Sequence, residues 1–212
     1  MVRFLLAAGL LLPQVGRAQL LFNNPFQEGS YVLADSRTVR HAAELKLQQD
    51  GATLVVKTPR GKNLKLSPEE VASFYIGSQR YVPAGYFHVM GGLGGTDVEA
   101  VFAEQLDSGQ VQLLRYDYSM NNGGSMGAGG LMTGGGTWHL SAYLLRRATE
   151  AGYTAVQSGA YSNAGKRFRE ALRPFLATRP DLLKLLDDNK VDIKNLPAVI
   201  HALNTNLPYS PE

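Results

Sequence analysis

Apolar and polar residues alternate with a period of two over much of the first three quarters of the chain. Residues 44–47 show this pattern, which predicts a half-buried strand because successive side chains of a strand point to opposite faces. Asp50-Gly51 predicts a hairpin turn, since glycine adopts a positive φ at no steric cost. Segments 98–106 and 110–118 flank Asp107-Ser108-Gly109 and predict a second hairpin. This part of the chain is therefore expected to form an antiparallel sheet.

The C-terminal quarter follows the period of an α-helix instead. The apolar residues of the first tail helix recur at i, i+3, i+4, i+7 and i+8: Phe168, Ala171, Leu172, Phe175 and Leu176. Such a stripe is typical of an amphipathic helix that packs on a core. Asn163 is a candidate cap for this helix, and Pro174 is expected to kink it. Pro180 and Asp192 predict the starts of two further helices.

Strands followed by helices, rather than alternating with them, predict an α+β protein. We expect an antiparallel β-roll or small barrel, followed by a C-terminal helical unit of about three helices. The chain then divides into a signal peptide over 1–18, a β-rich domain over 19–158 and a helical unit over 159–212. Residues 121–137 of the β-rich domain include eight glycines. They predict a flexible loop, because glycine loses the most backbone entropy on folding and contributes no side chain to packing.

The N-terminus has the three parts of a secretory signal peptide. Arg3 supplies a positive charge, and the apolar run Phe4–Leu12 ends at Pro13. Gly16 and Ala18 place small residues at the expected cleavage site. The apolar run is shorter than the roughly 20 residues of a membrane-spanning helix, so no transmembrane segment is expected after cleavage. The protein is therefore predicted to be periplasmic or secreted; the alternative is an N-terminal core helix.

Composition and charge exclude several classes of protein. The chain has no cysteine, which excludes a disulfide scaffold, a cysteine-ligated metal site and a cysteine nucleophile. The formal net charge is +3, and loss of Arg3 and Arg17 with the signal peptide lowers it to +1. A chain so close to neutrality has no electrostatic basis for binding nucleic acid.

Several packing motifs together resemble an uncharacterised family of exported proteins of Gram-negative bacteria, with a β-rich body and a helical C-terminal tail. The matching motifs are Gly29-Ser30-Tyr31, Ser67-Pro68-Glu69-Glu70-Val71, Phe74-Tyr75-Ile76, the hairpin over 102–116 and the leucine-rich tail over 168–204. The resemblance implies an envelope or secreted location. It supplies no catalytic residue that could be transferred to this chain.

The strongest catalytic motif is Gly-x-Ser-x-Gly at residues 123–127, with Ser125 as the candidate nucleophile. In α/β-hydrolases such a serine lies on a strained turn between a strand and a helix. Here further glycines follow instead of a helix, which favours a flexible loop. A triad would need partners such as Asp181 and His201, whose positions in the helical tail suit capping and packing better.

The sequence predicts no cofactor and no metal site. It contains neither Gly-x-x-x-x-Gly-Lys nor Gly-x-Gly-x-x-Gly, the usual phosphate-binding loops. The four histidines lie far apart and outside the spacing of a metal-binding motif: His41, His88, His139 and His201. His41 and Glu44 are three residues apart, so a strand would point them to opposite faces.

Two surface features could bind a partner. The first tail helix carries a basic face that would attract anionic lipid or polysaccharide, although a solvated helix face is the simpler interpretation: Lys166, Arg167, Arg169, Arg173 and Arg179. A cluster of aromatic residues could leave some rings exposed as a binding surface: Phe74, Tyr75, Tyr81, Tyr86 and Phe87.

We therefore expect an exported, non-enzymatic cell-envelope protein with a binding or accessory role. Its candidate partners are a cell-envelope protein or a polysaccharide. The alternative is a secreted hydrolase that uses Ser125, and a third possibility is an accessory protein whose glycine-rich loop orders with a partner. Titratable groups that converge in a deep cleft would favour an enzyme, whereas a shallow surface with an exposed tyrosine would favour a binding module.

Overall fold

A computed structural model of the chain describes residues 25–48, 50–59, 61–90, 95–121, 137–157 and 164–210. The predicted signal peptide, over 1–18, lies outside these ranges, as do residues 122–136 of the glycine-rich segment and with them Ser125. The strands over the described residues are β1 (Gln27–Leu33), β2 (Arg40–Leu47), β3 (Leu54–Val56), β4 (Leu64–Leu66), β5 (Val71–Ile76), β6 (Gln79–Ala84), β7 (Phe87–Val89), β8 (Thr96–Val98), β9 (Val101–Asp107), β10 (Val111–Asn121), β11 (Thr137–Arg147) and β12 (Thr154–Val156). The helices there are α1 (Ala164–Leu176), α2 (Pro180–Asp187) and α3 (Leu196–Thr205).

Ten of these strands form one antiparallel sheet in the described part of the chain. Their order is β12-β11-β10-β9-β6-β5-β1-β2-β3-β4, and β7 and β8 form a separate pair. Every pairing in the large sheet is antiparallel. The two outer strands, β12 and β4, do not pair with each other among the described residues. The predicted α+β class is therefore confirmed, and the sheet is open rather than a closed barrel.

The half of the sheet from β5 to β4 is curled into a roll. Four strand spacings separate β4 from β5, which in a flat sheet would span about 19 Å. The chain nevertheless joins them through one tight turn, in which the Glu70 amide donates to the Ser67 carbonyl at 3.1 Å, and such a turn spans less than about 7 Å. The sheet must curve for so short a connection to reach. The curvature encloses a core of Leu45, Leu54, Val56, Leu66, Val71, Phe74, Ile76 and Phe102.

The other half of the sheet is covered on both faces. The three helices pack on one face against Val111, Leu113, Leu145 and Val156. The β7–β8 pair packs on the opposite face, where Phe87 and Val89 contribute to the same core as strands β9–β11. Because both faces are buried, strand β10 has adjacent buried residues as well as alternating ones.

A turn between β2 and β3 inserts beside β9 and β10. Gly51, with φ of +70°, uses its carbonyl to accept a hydrogen bond from the Phe102 amide at 2.7 Å. A Cβ atom at Gly51 would lie 3.3 Å from the Tyr116 ring. Strand β9 pairs with β10 over Leu113–Arg115, and the register shifts between Leu113 and Leu114. The turn thus helps to hold the roll against the helix-covered half of the sheet.

The helical tail agrees with its sequence pattern. Pro174 lies in the last turn of α1, and Pro180 begins α2. Asp192 caps the turn ahead of α3, because its Oδ1 accepts hydrogen bonds from the amides of Lys194 and Asn195 at 2.8 and 3.1 Å. The candidate cap Asn163 lies outside the described residues. None of the described helices has both the length and the apolar character required to cross a bilayer.

Candidate functional site

A row of polar side chains lies on the face of the sheet that carries the helical unit. Along residues 115–119 polar and aromatic residues alternate, and β10 pairs with β11 in continuous register. The odd-numbered positions therefore share a face with Val111 and Leu113 but extend beyond the helices. Strand β9 adds one carboxylate from the other side, because Glu104 pairs with Arg115. We call this row the polar ladder: Glu104, Arg115, Asp117, Ser119, His139 and Ser141.

The inner end of the polar ladder is a half-buried ion pair. The side chains of Glu104 and Arg115 are 12% and 27% exposed, and Arg115 Nη2 lies 2.5 Å from Glu104 Oε2. Gln79 Nε2 donates to Glu104 Oε1 at 3.0 Å. Glu104 Oε2 and Arg115 Nε are both buried, yet within the described part of the chain neither makes a hydrogen bond of acceptable angle. Buried polar atoms are rarely left in this way, so each calls for an explanation.

The outer end of the polar ladder faces solvent. Asp117 is 43% exposed and its Oδ2 lies 3.3 Å from Arg115 Nε, while its Oδ1 accepts a hydrogen bond from Ser141 Oγ at 2.5 Å. Ser119 Oγ and His139 Nδ1 lie 3.0 Å apart, and both side chains are exposed. The ladder therefore runs from a nearly covered carboxylate to an open row of hydroxyl, carboxylate and imidazole groups.

Two tyrosines flank the inner end and stay neutral at ordinary pH. Burial, with a further contribution from the charge of Glu104, raises the pKa of Tyr81 to about 12. Burial also raises the pKa of Tyr143, which pairs with Arg115 across the hairpin. Their phenol groups are therefore hydrogen-bond donors rather than bases. The two carboxylates of the ladder, Glu104 and Asp117, outnumber its one guanidinium, Arg115.

The histidines lie at separate places in the fold. His41 stacks on Tyr31 with ring centroids 5.0 Å apart, while Glu44 of the same strand binds Lys57 at 2.6 Å, as the predicted opposite orientation requires. Two further histidines outside the ladder pair with aspartates: His88 with Asp97 and His201 with Asp107, each at 2.8 Å. Among the described residues no three His, Asp or Glu side chains converge as a metal site would need.

The aromatic cluster divides between core and surface. Phe74 and Phe87 are buried, but Tyr86 is 81% exposed. Its φ of +57° places it in the left-handed region, and β7 begins at the next residue, Phe87. A positive φ is uncommon for a bulky residue and costs about 1–2 kcal/mol. Tyr86 is thus an exposed ring of the kind expected for a binding module.

Three arginines of the predicted basic face bind polar side chains within the tail. In α1, Arg169 binds Asn189 and Arg173 binds Asp187. Arg179, in the turn after α1, binds Asp181. The bidentate contact with the Arg179 guanidinium lowers the pKa of Asp181 to about 2. These contacts favour a solvated structural face over a surface for anionic lipid. They also explain why Asp181 is not available to a catalytic triad.

An open groove of about 480 Å³ lies elsewhere, between β2 and the turn after β3. Small side chains such as Ala42 and Ala43 line it. Its charged residues, Glu44 and Lys57, already bind each other at 2.6 Å. The groove therefore presents fewer unsatisfied polar groups than the polar ladder does.

Sequence reasoning did not identify the polar ladder. The alternation over 115–119 was its available signal, since polar residues at every second position of a predicted strand share one face. The contribution of Glu104 had no such signal, because it depends on how β9 pairs with β10. Comparisons of the chain with protein-family models, curated proteins and solved structures give no significant match. The resemblance to an exported family therefore stays a prediction.

Proposed function

We propose that this chain is an exported, non-enzymatic cell-envelope protein with a binding or accessory role, and that it binds its ligand at the polar ladder. Export is supported by the sequence pattern of residues 1–18. Binding is supported by the position of the ladder, on a rigid sheet beside the helical unit, where side chains are held by their cross-strand neighbours.

One observation carries the proposal: the outer ladder residues Asp117, Ser119, His139 and Ser141 form one row of exposed polar side chains. The row continues into the half-buried pair of Glu104 and Arg115, whose atoms Glu104 Oε2 and Arg115 Nε are buried and lie at ion-pair distance from opposite charges. A polar ligand seated at Asp117 would contact the exposed hydroxyl and carboxylate groups and the exposed part of the Arg115 side chain. The site thus presents several hydrogen-bonding groups to solvent in one line.

The arrangement suits binding better than hydrolysis. The exposed carboxylate of the ladder, Asp117, is bound by Arg115 and by Ser141. The contact between Ser119 and His139 follows from their cross-strand pairing, which brings any two such side chains close together. A serine hydrolase also needs donors that stabilise an oxyanion. The hydrolase alternative therefore depends on Ser125, and equal labelling of wild type and Ser125→Ala by a fluorophosphonate would exclude it.

The test is co-sedimentation of the protein with washed envelopes of the producing cells. We compare wild type, the double variant Asp117→Asn with Ser119→Ala, and Asp97→Asn as a matched control at an exposed carboxylate of β8. The proposal expects the ladder variant to lose at least about four fifths of the bound protein, as loss of about 1 kcal/mol of binding implies, while the control binds normally. Equal sedimentation of all three proteins, or an N-terminus at Met1 in purified native protein, would contradict it.

A further inference from the structure

We infer that the polar ladder binds an uncharged, hydroxyl-rich polysaccharide that lies along strands β10 and β11. This inference rests on the proposed function and narrows its ligand to one chemical class. Its basis is the order of the groups along the ladder, their charge and the pairing of the strands that carry them.

The ladder alternates donors and acceptors along one line. Arg115 donates only, Asp117 accepts only, and Ser119 does both. Because these residues are two apart on a strand, a ligand lying along it meets a new group about every 7 Å. Neighbouring hydroxyls of a sugar ring each donate and accept, so they fit an interleaved row better than they fit a cluster of one kind.

The aromatic residues at the inner end belong to the protein core rather than to the ligand surface. Tyr81 stacks on Phe74 with ring centroids 4.8 Å apart, and its hydroxyl donates to Gln79 Oε1 at 3.4 Å. Tyr143 packs against the core beneath the helices. A ligand on the ladder therefore bonds to its outer, exposed groups: Asp117, Ser119, His139 and Ser141.

Charge favours an uncharged polysaccharide over an acidic one. Glu104 and Asp117 outnumber the single cation Arg115, which already contacts both. A carboxylate of a polyuronate placed near Asp117 would meet a like charge, and at about 4 Å in water this costs a factor of about five in affinity. The ladder therefore discriminates against acidic sugars.

The strand pairing disfavours an extended peptide as the ligand. A peptide that adds to a sheet needs a free backbone edge, whereas the ladder lies on a face formed by β10 and β11, which pair with each other along their whole described length. The outer ladder residues Asp117, Ser119, His139 and Ser141 are also polar, so they offer no apolar pocket for a peptide anchor.

Titration of the full mature chain with defined tetrasaccharides tests the inference. The probes are cellotetraose, the N-acetylglucosamine tetramer and tetragalacturonate, followed by calorimetry and by amide chemical shifts. We expect at least one neutral tetramer to bind, with shifts at residues 115–119 and 139–143, and tetragalacturonate to bind at least about fivefold more weakly. Asp117→Asn should bring the ratio of the neutral-tetramer affinity to the tetragalacturonate affinity close to one, whereas the control Asp97→Asn should leave this ratio unchanged.

The outcomes separate this inference from the proposed function. Binding of tetragalacturonate as tight as that of the neutral tetramers overturns the inference. So does the absence of any neutral-sugar binding by a chain that still sediments with envelopes through its ladder, and in that case the proposed function stands with a different ligand. If sedimentation is also independent of the ladder, both fail.

Discussion

Asn204 fastens the helical unit to the sheet, and its replacement should loosen that attachment measurably. Its Oδ1 accepts a hydrogen bond from the Val111 amide at 2.9 Å, and its Nδ2 donates to the Val111 carbonyl at 2.8 Å. The side chain thereby pairs with the start of β10 as a neighbouring strand would. Gly109 makes room for it, because a Cβ atom there would lie 2.7 Å from Asn204 Cγ.

The two hydrogen bonds between Asn204 and Val111 determine how much stability Asn204→Ala should lose. A net contribution of about 1 kcal/mol per hydrogen bond, with a further penalty where the Val111 groups stay unpaired, gives a loss of about 2–3 kcal/mol for Asn204→Ala. Asn204→Asp keeps the acceptor for the amide but sets a carboxylate against the Val111 carbonyl, so at neutral pH we expect a similar or larger loss. At acidic pH the introduced carboxyl group is protonated and can donate, so that variant should regain stability relative to wild type.

Urea unfolding followed by far-ultraviolet circular dichroism, at pH 7 and pH 4, measures these differences. Asn63→Ala is the matched control, because Asn63 is exposed on the roll and surface substitutions usually change stability by less than about 0.5 kcal/mol. An Asn204→Ala variant within that margin of wild type would refute the reasoning. So would an Asn204→Asp variant whose deficit is the same at both pH values.

Three further predictions concern the sheet. The pKa of Tyr81 is raised from 10 to about 12 in the folded protein, so the unfolded chain loses this proton first as pH rises. The free energy of unfolding should therefore fall between about pH 10 and pH 12, and Tyr81→Phe should make that fall smaller. Arg115→Met should destabilise the fold by about 2–3 kcal/mol, below the usual range for a fully buried pair because Arg115 is partly exposed, and adding Glu104→Gln should recover much of the loss in urea unfolding. Gly29→Ala should cost about 1–3 kcal/mol in thermal unfolding, because its Cβ would lie 2.2 Å from the Tyr75 carbonyl oxygen.

Each of these has an outcome that contradicts it. If the free energies of unfolding of wild type and Tyr81→Phe fall in parallel above pH 10, Tyr81 is not the group responsible. If Glu104→Gln restores nothing to Arg115→Met, the loss comes from packing of the arginine stem. For Gly29, the control is Gly165→Ala, where φ is not positive and the new Cβ would lie at an ordinary contact distance of 3.5 Å from Arg169 Nη1; equal losses at both sites would exclude the steric explanation.

Local sequence patterns predict much of the secondary structure, but they do not predict which strands far apart in the sequence contact each other. The hairpin at Asp107–Gly109 and the helix stripe from Phe168 were predictable because turn chemistry and side-chain periodicity act between near neighbours. Tyr86 is an aromatic residue, of a type that favours strands, but its left-handed φ excludes it from β7. The pattern gave no indication that the turn at Gly51 would reach β9.

The candidate site was less predictable for the same reason. Asp117 and Ser141 are brought together by one hairpin, so their contact could have been predicted from the alternation along β10. Glu104 reaches Arg115 through the pairing of β9 with β10, whose register shifts by a bulge. Such shifts depend on the tertiary packing around the strands, which a single sequence does not display.

The helical unit also fixes the order in which the molecule can become complete. Val111, Leu113, Leu145 and Val156 are covered by helices that a ribosome makes after these strands. Until then they form an apolar strip on an otherwise finished hairpin, open to proteases and to self-association. A premature stop before α3 would therefore yield an aggregation-prone fragment, although all twelve strands of the described residues had been synthesised.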